Sequence, residues 1–297
     1  MNAVSLKPAL TLDEQIERLQ TVHALEIIDP DSAKDILSRV NYYRLSAYGI
    51  GLKRKDSAEK YADGISLNHL YNLYTFDSHL RSALLHLIEQ VEIELRTQLA
   101  YNLSLKYGPE GYRDSNNFRN LLNAQGDSIH ANTVSRFDAE VSKQSRLPCV
   151  QHHKVKYGGH FPMWAAVELF TFGMVSTFYS LMQPEDQKSI ATFYNVSYKH
   201  LGGWIQALVE VRNICAHYGR LYNMPLSQTP YLFKEYKQYR SGDINKLFPV
   251  LLVLRRMTKD RPYWNTFYNT LEALVDQYHE VQLPFMGFPE NWKEVLS

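Results

Sequence analysis

The strongest pattern of hydrophobic positions runs from Leu67 to Lys106. Apolar residues recur there at spacings of three and four, and no proline or glycine interrupts them before Gly108 and Pro109. This spacing places one apolar stripe along one face of a helix. The pattern therefore predicts a single long amphipathic helix, about 55–60 Å in length at ~1.5 Å per residue.

Shorter segments with the same helical period lie on both sides of the long helix. They are Leu12–Val22, Ala33–Val40, Met163–Leu181, Pro184–Phe193, Leu201–Tyr218, Phe248–Met257 and Tyr263–Tyr278. Residues 108–160 have no such period, and we expect them to be irregular. Because no run of strand length alternates between apolar and polar residues, we expect an all-α fold. We expect a small N-terminal helical module at 1–62, a helical bundle at 63–225 and a C-terminal helical extension at 226–297 packed on the bundle.

The amino-acid composition indicates which kinds of partner and which cellular compartment suit the protein. The chain has 297 residues, 45% hydrophobic and 21% charged, with a net charge of +1, which is typical of a globular protein without a strong global field. The two cysteines, Cys149 and Cys215, have no CxxC spacing, as expected in a reducing cytoplasm. Residues 1–8 lack a secretory pattern, and the weakly charged stretch 161–184 is broken by Glu168. We therefore expect a soluble cytoplasmic protein without a membrane span.

The densest candidate chemistry lies between Arg212 and His217. Arginine is charged at any working pH and binds phosphate through two hydrogen bonds. Histidine exchanges protons near neutral pH. Together they could cleave a phosphodiester without a metal, with His217 taking a proton from a 2′-hydroxyl and Arg212 stabilising the charge on phosphorus. The alternative is structural: an arginine in a surface ion pair and a histidine that caps a helix.

The helix that carries this motif sets its geometry. On an ideal helix Asn213 and His217 share one flank, while Arg212 lies about 140° from His217 at ~100° per residue. Arg220 would join that flank only if the helix continued past Gly219, which instead predicts its C-terminal stop. A site made by two copies of the motif would bring Arg212 and His217 together more easily.

Glu92 and Arg96 lie at i and i+4 on the long helix and are expected to form an ion pair. Two interpretations are open. The pair stabilises the helix only, or it borders the active face and holds the arginine–histidine cluster in place. Asp77 and Arg81 repeat the same arrangement earlier in the helix, which weakens a special role for either pair.

Two further segments have both a structural and a nucleic-acid interpretation. The aromatic segment 41–49 is either a docking surface for the larger domain or a platform on which bases stack. No acidic residue occurs between Glu140 and Glu168, a stretch that contains Lys143, Arg146, Lys154 and Lys156. These four residues either contact RNA phosphates or lie on a solvated loop. The spacing of the histidines in this stretch does not indicate a metal site, and we expect neither a metal nor another cofactor.

Several segments in order along the chain resemble the Abi family of bacterial abortive-infection proteins, of the AbiD/AbiF type. They are Asn41–Leu45, Leu73–Arg81, Ile88–Glu89 with Glu92–Thr97, Pro162–Trp164 with Glu168–Gly173, Val211–His217 with Gly219–Asn223, and Met286–Pro289 with Asn291–Trp292. The resemblance implies a HEPN-like helical bundle, in which an Arg-x4–6-His motif marks metal-independent ribonucleases that usually work as pairs.

By position, the resemblance implies that Arg212 and His217 are catalytic and that Asn213 orients them. It also implies supporting roles for Glu92, Arg96 and Arg220.

The function expected from this resemblance is RNA cleavage by a homodimer in defence against phage, with a possible RNA or protein antitoxin. The rival is a non-catalytic RNA- or protein-binding module that senses infection or is held by an antitoxin. A third interpretation is a purely structural motif.

Overall fold

A computed structural model of the protein describes residues 8–239 and 245–297. The expectation about a secretory leader therefore concerns residues of which all but Pro8 lie outside the described part of the chain. The α-helices are α1 (Leu12–Thr21), α2 (Pro30–Arg39), α3 (Tyr42–Ser46), α4 (Leu67–Tyr107), α5 (Ile129–Lys143), α6 (Pro148–Lys156), α7 (Met163–Ala166), α8 (Phe172–Leu181), α9 (Pro184–Phe193), α10 (Tyr198–Ala216), α11 (Leu247–Met257), α12 (Arg261–Gln277) and α13 (Trp292–Leu296). Over these ranges extended chain occurs only as isolated bridges, so the all-α prediction is confirmed.

The central helix α4 is the long helix that the hydrophobic pattern predicts. It begins directly after Ser66, whose hydroxyl accepts the amide N–H of His69 at 3.1 Å, and ends before Gly108, which has a φ of +79°. Its apolar stripe from Leu73 to Leu103 is buried. Helices α7 to α12 pack around it, and α2 and α3 pack near its N-terminal half. The core of the protein is therefore built along one continuous helix.

Residues 108–160 are more ordered than the sequence predicts. Helices α5 and α6 form there, so the prediction of an irregular segment is wrong. Ser128 caps α5 by accepting the amide N–H of Ala131 at 3.2 Å, and Pro148 begins α6. The buried face of α5 includes Thr133 and Phe137, and its apolar stripe is too narrow to reveal the helix by period alone.

The segment from Met163 to Leu181, predicted as one helix, is divided. Helix α7 continues into a 3-10 turn at Val167–Leu169, and Thr171 then caps a new helix, α8, by accepting the N–H of Met174 at 3.2 Å. The apolar spacing continues across this break, because the residues on both sides face the same core. The interruption leaves the carbonyl of Val167 accessible to a side chain of α4.

Among the described residues, no helix is both long and apolar enough to cross a membrane. The proposed boundaries at residues 62 and 225 stay predictions.

Asp77 of α4 is a fully buried carboxylate that joins three parts of the chain. Its oxygens accept the Tyr48 hydroxyl at 2.7 Å and the backbone N–H groups of Leu221 and Tyr222 at 3.1 and 2.8 Å. The Nε of Arg81 lies 3.2 Å from the same carboxylate. Burial raises the pKa of Asp77, and these donors act in the opposite direction. The Asp77–Arg81 pair is therefore an internal junction.

We expect Asp77→Ala to lower the free energy of unfolding by about 3–5 kcal/mol, because it leaves Arg81 and two backbone donors buried without their acceptor. The matched control is Asp35→Ala. Asp35 forms the same i,i+4 pair with Arg39, but its side chain is 61% exposed, and such pairs contribute less than about 1 kcal/mol. Urea denaturation measures both variants. Equal losses would contradict the role of Asp77.

Candidate functional site

The helix that carries the arginine–histidine motif ends earlier than its pattern predicts. Helix α10 stops at Ala216, and His217 is its C-terminal cap residue. The amide N–H of Gly219 donates to the carbonyl of Ile214 at 2.8 Å, and Tyr218 between them has a φ of +57°. This is the Schellman pattern of helix ends, with a tyrosine at the left-handed position. A Cβ on Gly219 would lie 3.1 Å from the Ile214 side chain, which explains a glycine there.

Arg212 is held by a carboxylate of the central helix. Its Nε donates to the Oε2 of Glu92 at 3.2 Å, and the Oε1 of the same carboxylate accepts Arg96. Arg96 also donates to the carbonyl of Val167 at 2.5 Å, at the break before α8. Glu92 thus bridges two guanidinium groups, and the side chain of Arg212 remains 32% exposed. Of the two interpretations of the Glu92–Arg96 pair, the geometry supports the one in which it positions Arg212.

A cleft of about 360 Å³ lies along this network. It is lined by Leu85, Glu89, Glu92, Ile93, Arg96, Arg212 and Ala216. Neither Asn213 nor His217 lines it. The guanidinium of Arg212 therefore lies at the wall of an open cavity and is held there by the carboxylate of Glu92.

Asn213 and His217 are both exposed and lie outside this cleft. The Oδ1 of Asn213 accepts Arg212 at 3.5 Å, and the amide N–H of His217 donates to the carbonyl of Asn213 at 3.0 Å. Within the described ranges no hydrogen bond involves the imidazole of His217. One copy of the chain brings Arg212 and Asn213 together but does not place the His217 ring against Arg212.

The loop after the motif is fixed to the aromatic segment 41–49. Arg44 donates to the carbonyl of Tyr218 at 2.7 Å, and Arg220 donates to the carbonyl of Ala47. Burial lowers the pKa of Arg220. The segment therefore acts as a docking surface, one of the two interpretations of its sequence. Because α10 ends before Arg220, this residue does not lie on the same helical flank as His217. Its hydrogen bond to Ala47 instead holds the loop that follows the motif.

The four basic residues predicted to bind RNA are exposed, three of them at helix ends and Arg146 on the turn between two helices. Lys143 ends α5 and lies 3.6 Å from Glu140, Arg146 lies between α5 and α6, and Lys154 and Lys156 are in the last turn of α6. Over residues 8–239 and 245–297, none of the four forms a hydrogen bond or a salt bridge with Arg212, Asn213 or His217. Their contact with phosphate stays a prediction.

Sequence reasoning missed Glu89 and Ile93 as cleft residues and Asp77 as the anchor of the loop after the motif. The spacing of Glu89 and Ile93 around Glu92 on α4 could have indicated their shared face. Nothing in the sequence indicates that Asp77 reaches Leu221. In the described ranges, no group of three or more His, Cys, Asp or Glu side chains could hold a metal ion.

Comparison with known families identifies the chain. A family model described as Abi-like protein matches residues 35–223, about two thirds of the chain. The protein belongs to the Abi-like family. No curated protein and no solved structure matches it. The region matched by the Abi-like model includes Asp77, Glu92 and the whole Arg212–His217 motif, and it ends at Asn223.

The two cysteines of this Abi-like protein are expected to differ in reactivity. Cys149 is exposed, whereas Cys215 is buried in α10, and this burial raises its pKa to about 12. Because only the thiolate reacts, a thiol-specific reagent at about pH 8 should modify Cys149 quickly and Cys215 only after denaturation. Titration of native and denatured protein with Ellman's reagent tests this. Rapid reaction of both thiols in the native protein would show that α10 is not packed as described.

Proposed function

We propose that this Abi-like protein is a metal-independent endoribonuclease of a bacterial abortive-infection or toxin-like system. The observation that carries the proposal is the support of Arg212. Glu92, which also accepts a hydrogen bond from Arg96, holds the guanidinium of Arg212 at the wall of an open cleft. An arginine that only stabilised a helix surface would not need a largely buried carboxylate beside it. His217 lies about one turn further along the chain with an exposed ring.

The proposed cleavage needs only the RNA, two copies of His217 and Arg212, and it transfers one proton from the 2′-oxygen and one proton to the 5′-oxygen. One His217 takes the proton of a 2′-hydroxyl, and the 2′-oxygen attacks the adjacent phosphorus. Arg212 stabilises the additional negative charge on the phosphoryl oxygens. The bond from phosphorus to the 5′-oxygen breaks, and a protonated second His217 donates a proton to that oxygen. The products are a 2′,3′-cyclic phosphate and a 5′-hydroxyl.

A homodimer is the proposed active form. In a single chain the His217 ring does not contact Arg212 or line its cleft, and Arg212 points to Glu92 of α4. Two motifs that face each other would place the arginine of one copy near the histidine of the other. This matches the paired HEPN arrangement that the sequence resembles.

The remaining candidate residues have positioning roles in this proposal. Glu92 and Arg96 orient Arg212, Asn213 accepts a hydrogen bond from it, and Arg220 fixes the loop after His217. Cytoplasmic RNA is the proposed substrate, and an RNA or protein antitoxin is a possible partner. A protein that binds RNA without cutting it is the outcome that would favour a binding module instead.

We expect His217→Ala to lower the rate of RNA cleavage by about 10²–10⁴-fold, the usual effect of losing a general acid or base. The fold should be unaffected, because the ring is exposed. His279→Ala is the control, since His279 is also exposed and lies outside the motif. Cleavage of total bacterial RNA in EDTA measures both. Equal cleavage by wild type and His217→Ala would exclude His217 as the catalytic group.

Glu92→Gln should lower kcat by about ten- to a hundredfold with a smaller change in KM, because an uncharged amide holds Arg212 less firmly and misplacement of a catalytic group is costly. Glu89→Gln is the matched control. Glu89 lines the same cleft, but its carboxylate lies 3.8 Å from the imidazole of His86 and not against an arginine. Steady-state cleavage of a defined RNA separates kcat from KM. If both variants behave alike, the Glu92–Arg212 contact has no special role.

A further inference from the structure

A second cleft, of about 410 Å³, lies where α11 ends and α12 begins. Four cationic side chains line it: Arg255, Arg256, Lys259 and Arg261. Among the described residues that line it, Glu235 is the single carboxylate. Apart from Asn195, the residues that line it lie outside residues 35–223, so the family match does not cover its cations.

Within the described part of the chain, three of these cations form no salt bridge. Arg255 donates to the carbonyl oxygens of Leu296 and Ser297 and so holds the C-terminal helix. Arg256 donates to the carbonyl of Asn195 at 3.3 Å. Over residues 8–239 and 245–297, no salt bridge involves Arg256, Lys259 or Arg261. Four cations and one carboxylate in the lining give this concave site an excess of positive charge, which attracts anions.

Aromatic side chains lie beside these charges. Phe233 and Tyr236 line the same cleft, and the guanidinium of Arg256 lies 5.6 Å from the ring centroid of Phe233. Positive charge along a groove combined with aromatic rings is the usual surface for single-stranded nucleic acid. The cations are also distributed from the last turn of α11 to the first residue of α12, which suits several phosphates of a chain better than one.

We propose that Arg256, Lys259 and Arg261, here called the basic cleft, bind the phosphate backbone of single-stranded RNA. This deepens the proposed function, on which it rests, by naming where the substrate is held. Lys259 acts electrostatically on Glu94 of α4, which lies about 200° around that helix from Glu92 at ~100° per residue. The basic cleft and Arg212 therefore lie on different sides of α4. We expect the basic cleft to bind RNA at a distance from the bond that is cut.

The test is RNA affinity as a function of salt. A labelled single-stranded RNA of about 20 nucleotides, long enough for such a groove, is titrated by fluorescence anisotropy. The protein is the full chain with His217→Ala, in EDTA, so that no turnover occurs. Each phosphate contact to a single strand contributes about 0.7 to the slope of log Kd against log salt. Combined Arg256→Gln, Lys259→Gln and Arg261→Gln should lower that slope by about 2 and weaken binding at least tenfold.

The matched control removes the same charge from exposed residues elsewhere, with Lys55→Gln, Lys60→Gln and Arg136→Gln combined. It should have the smaller effect on slope and affinity. Equal effects of the two triple variants, or no binding of RNA by the parent protein, would overturn the proposal. So would displacement of the RNA by ATP as effectively as by unlabelled RNA at equal phosphate. If the cleft triple variant does not fold, Arg261→Gln alone should lower the slope by about 0.7.

These measurements distinguish failure of the RNA-binding proposal from failure of the proposed RNA cleavage. A protein that binds RNA through the basic cleft but does not cut it would contradict the proposed function and support the basic cleft. A protein that cuts RNA but binds it independently of Arg256, Lys259 and Arg261 would do the reverse.

Discussion

The buried carboxylate of Asp77 is the contact on which the arrangement of the motif depends. It accepts the N–H groups of Leu221 and Tyr222 just after the motif, and the hydroxyl of Tyr48 from the N-terminal segment. A charge in the interior is costly unless every acceptor position is used. These donors therefore fix the end of α10, the loop that follows it and the segment 41–49 relative to one helix.

Glu92 is a second anchor on the same helix, about 22 Å from Asp77 at ~1.5 Å per residue. Since Glu92 binds Arg212 and Asp77 binds the loop that follows α10, α10 runs antiparallel to α4. A straight helix with two acidic anchors fixes both ends of the motif. Arg212 is oriented from within, whereas His217 at the helix end stays exposed. A second molecule can therefore reach the histidine without unfolding the first, which is what the proposed dimer requires.

The sequence predicts what depends on local pattern and misses what depends on distant contacts. Helix α4 is predicted to within one residue of its end, because its apolar stripe is wide and unbroken. Helix α5 is missed because its buried face is narrow. The break before Thr171 is missed because the spacing of apolar residues continues across it. The motif residues are visible as candidates. Two contacts depend on tertiary packing and leave no sign in the local hydrophobic pattern. They are the contact of Glu92 with Arg212, 120 positions away, and the position of Phe233 beside Arg256.

Chemical identification of the ends on RNA cut in the presence of EDTA is the most direct measurement of the central claim. Attack by the 2′-hydroxyl, assisted by His217 and Arg212, predicts a 2′,3′-cyclic phosphate on one fragment and a 5′-hydroxyl on the other. Mass spectrometry of fragments produced by wild-type protein distinguishes these ends. Ends with a 3′-hydroxyl and a 5′-phosphate, or cleavage that stops when EDTA is added, would contradict it.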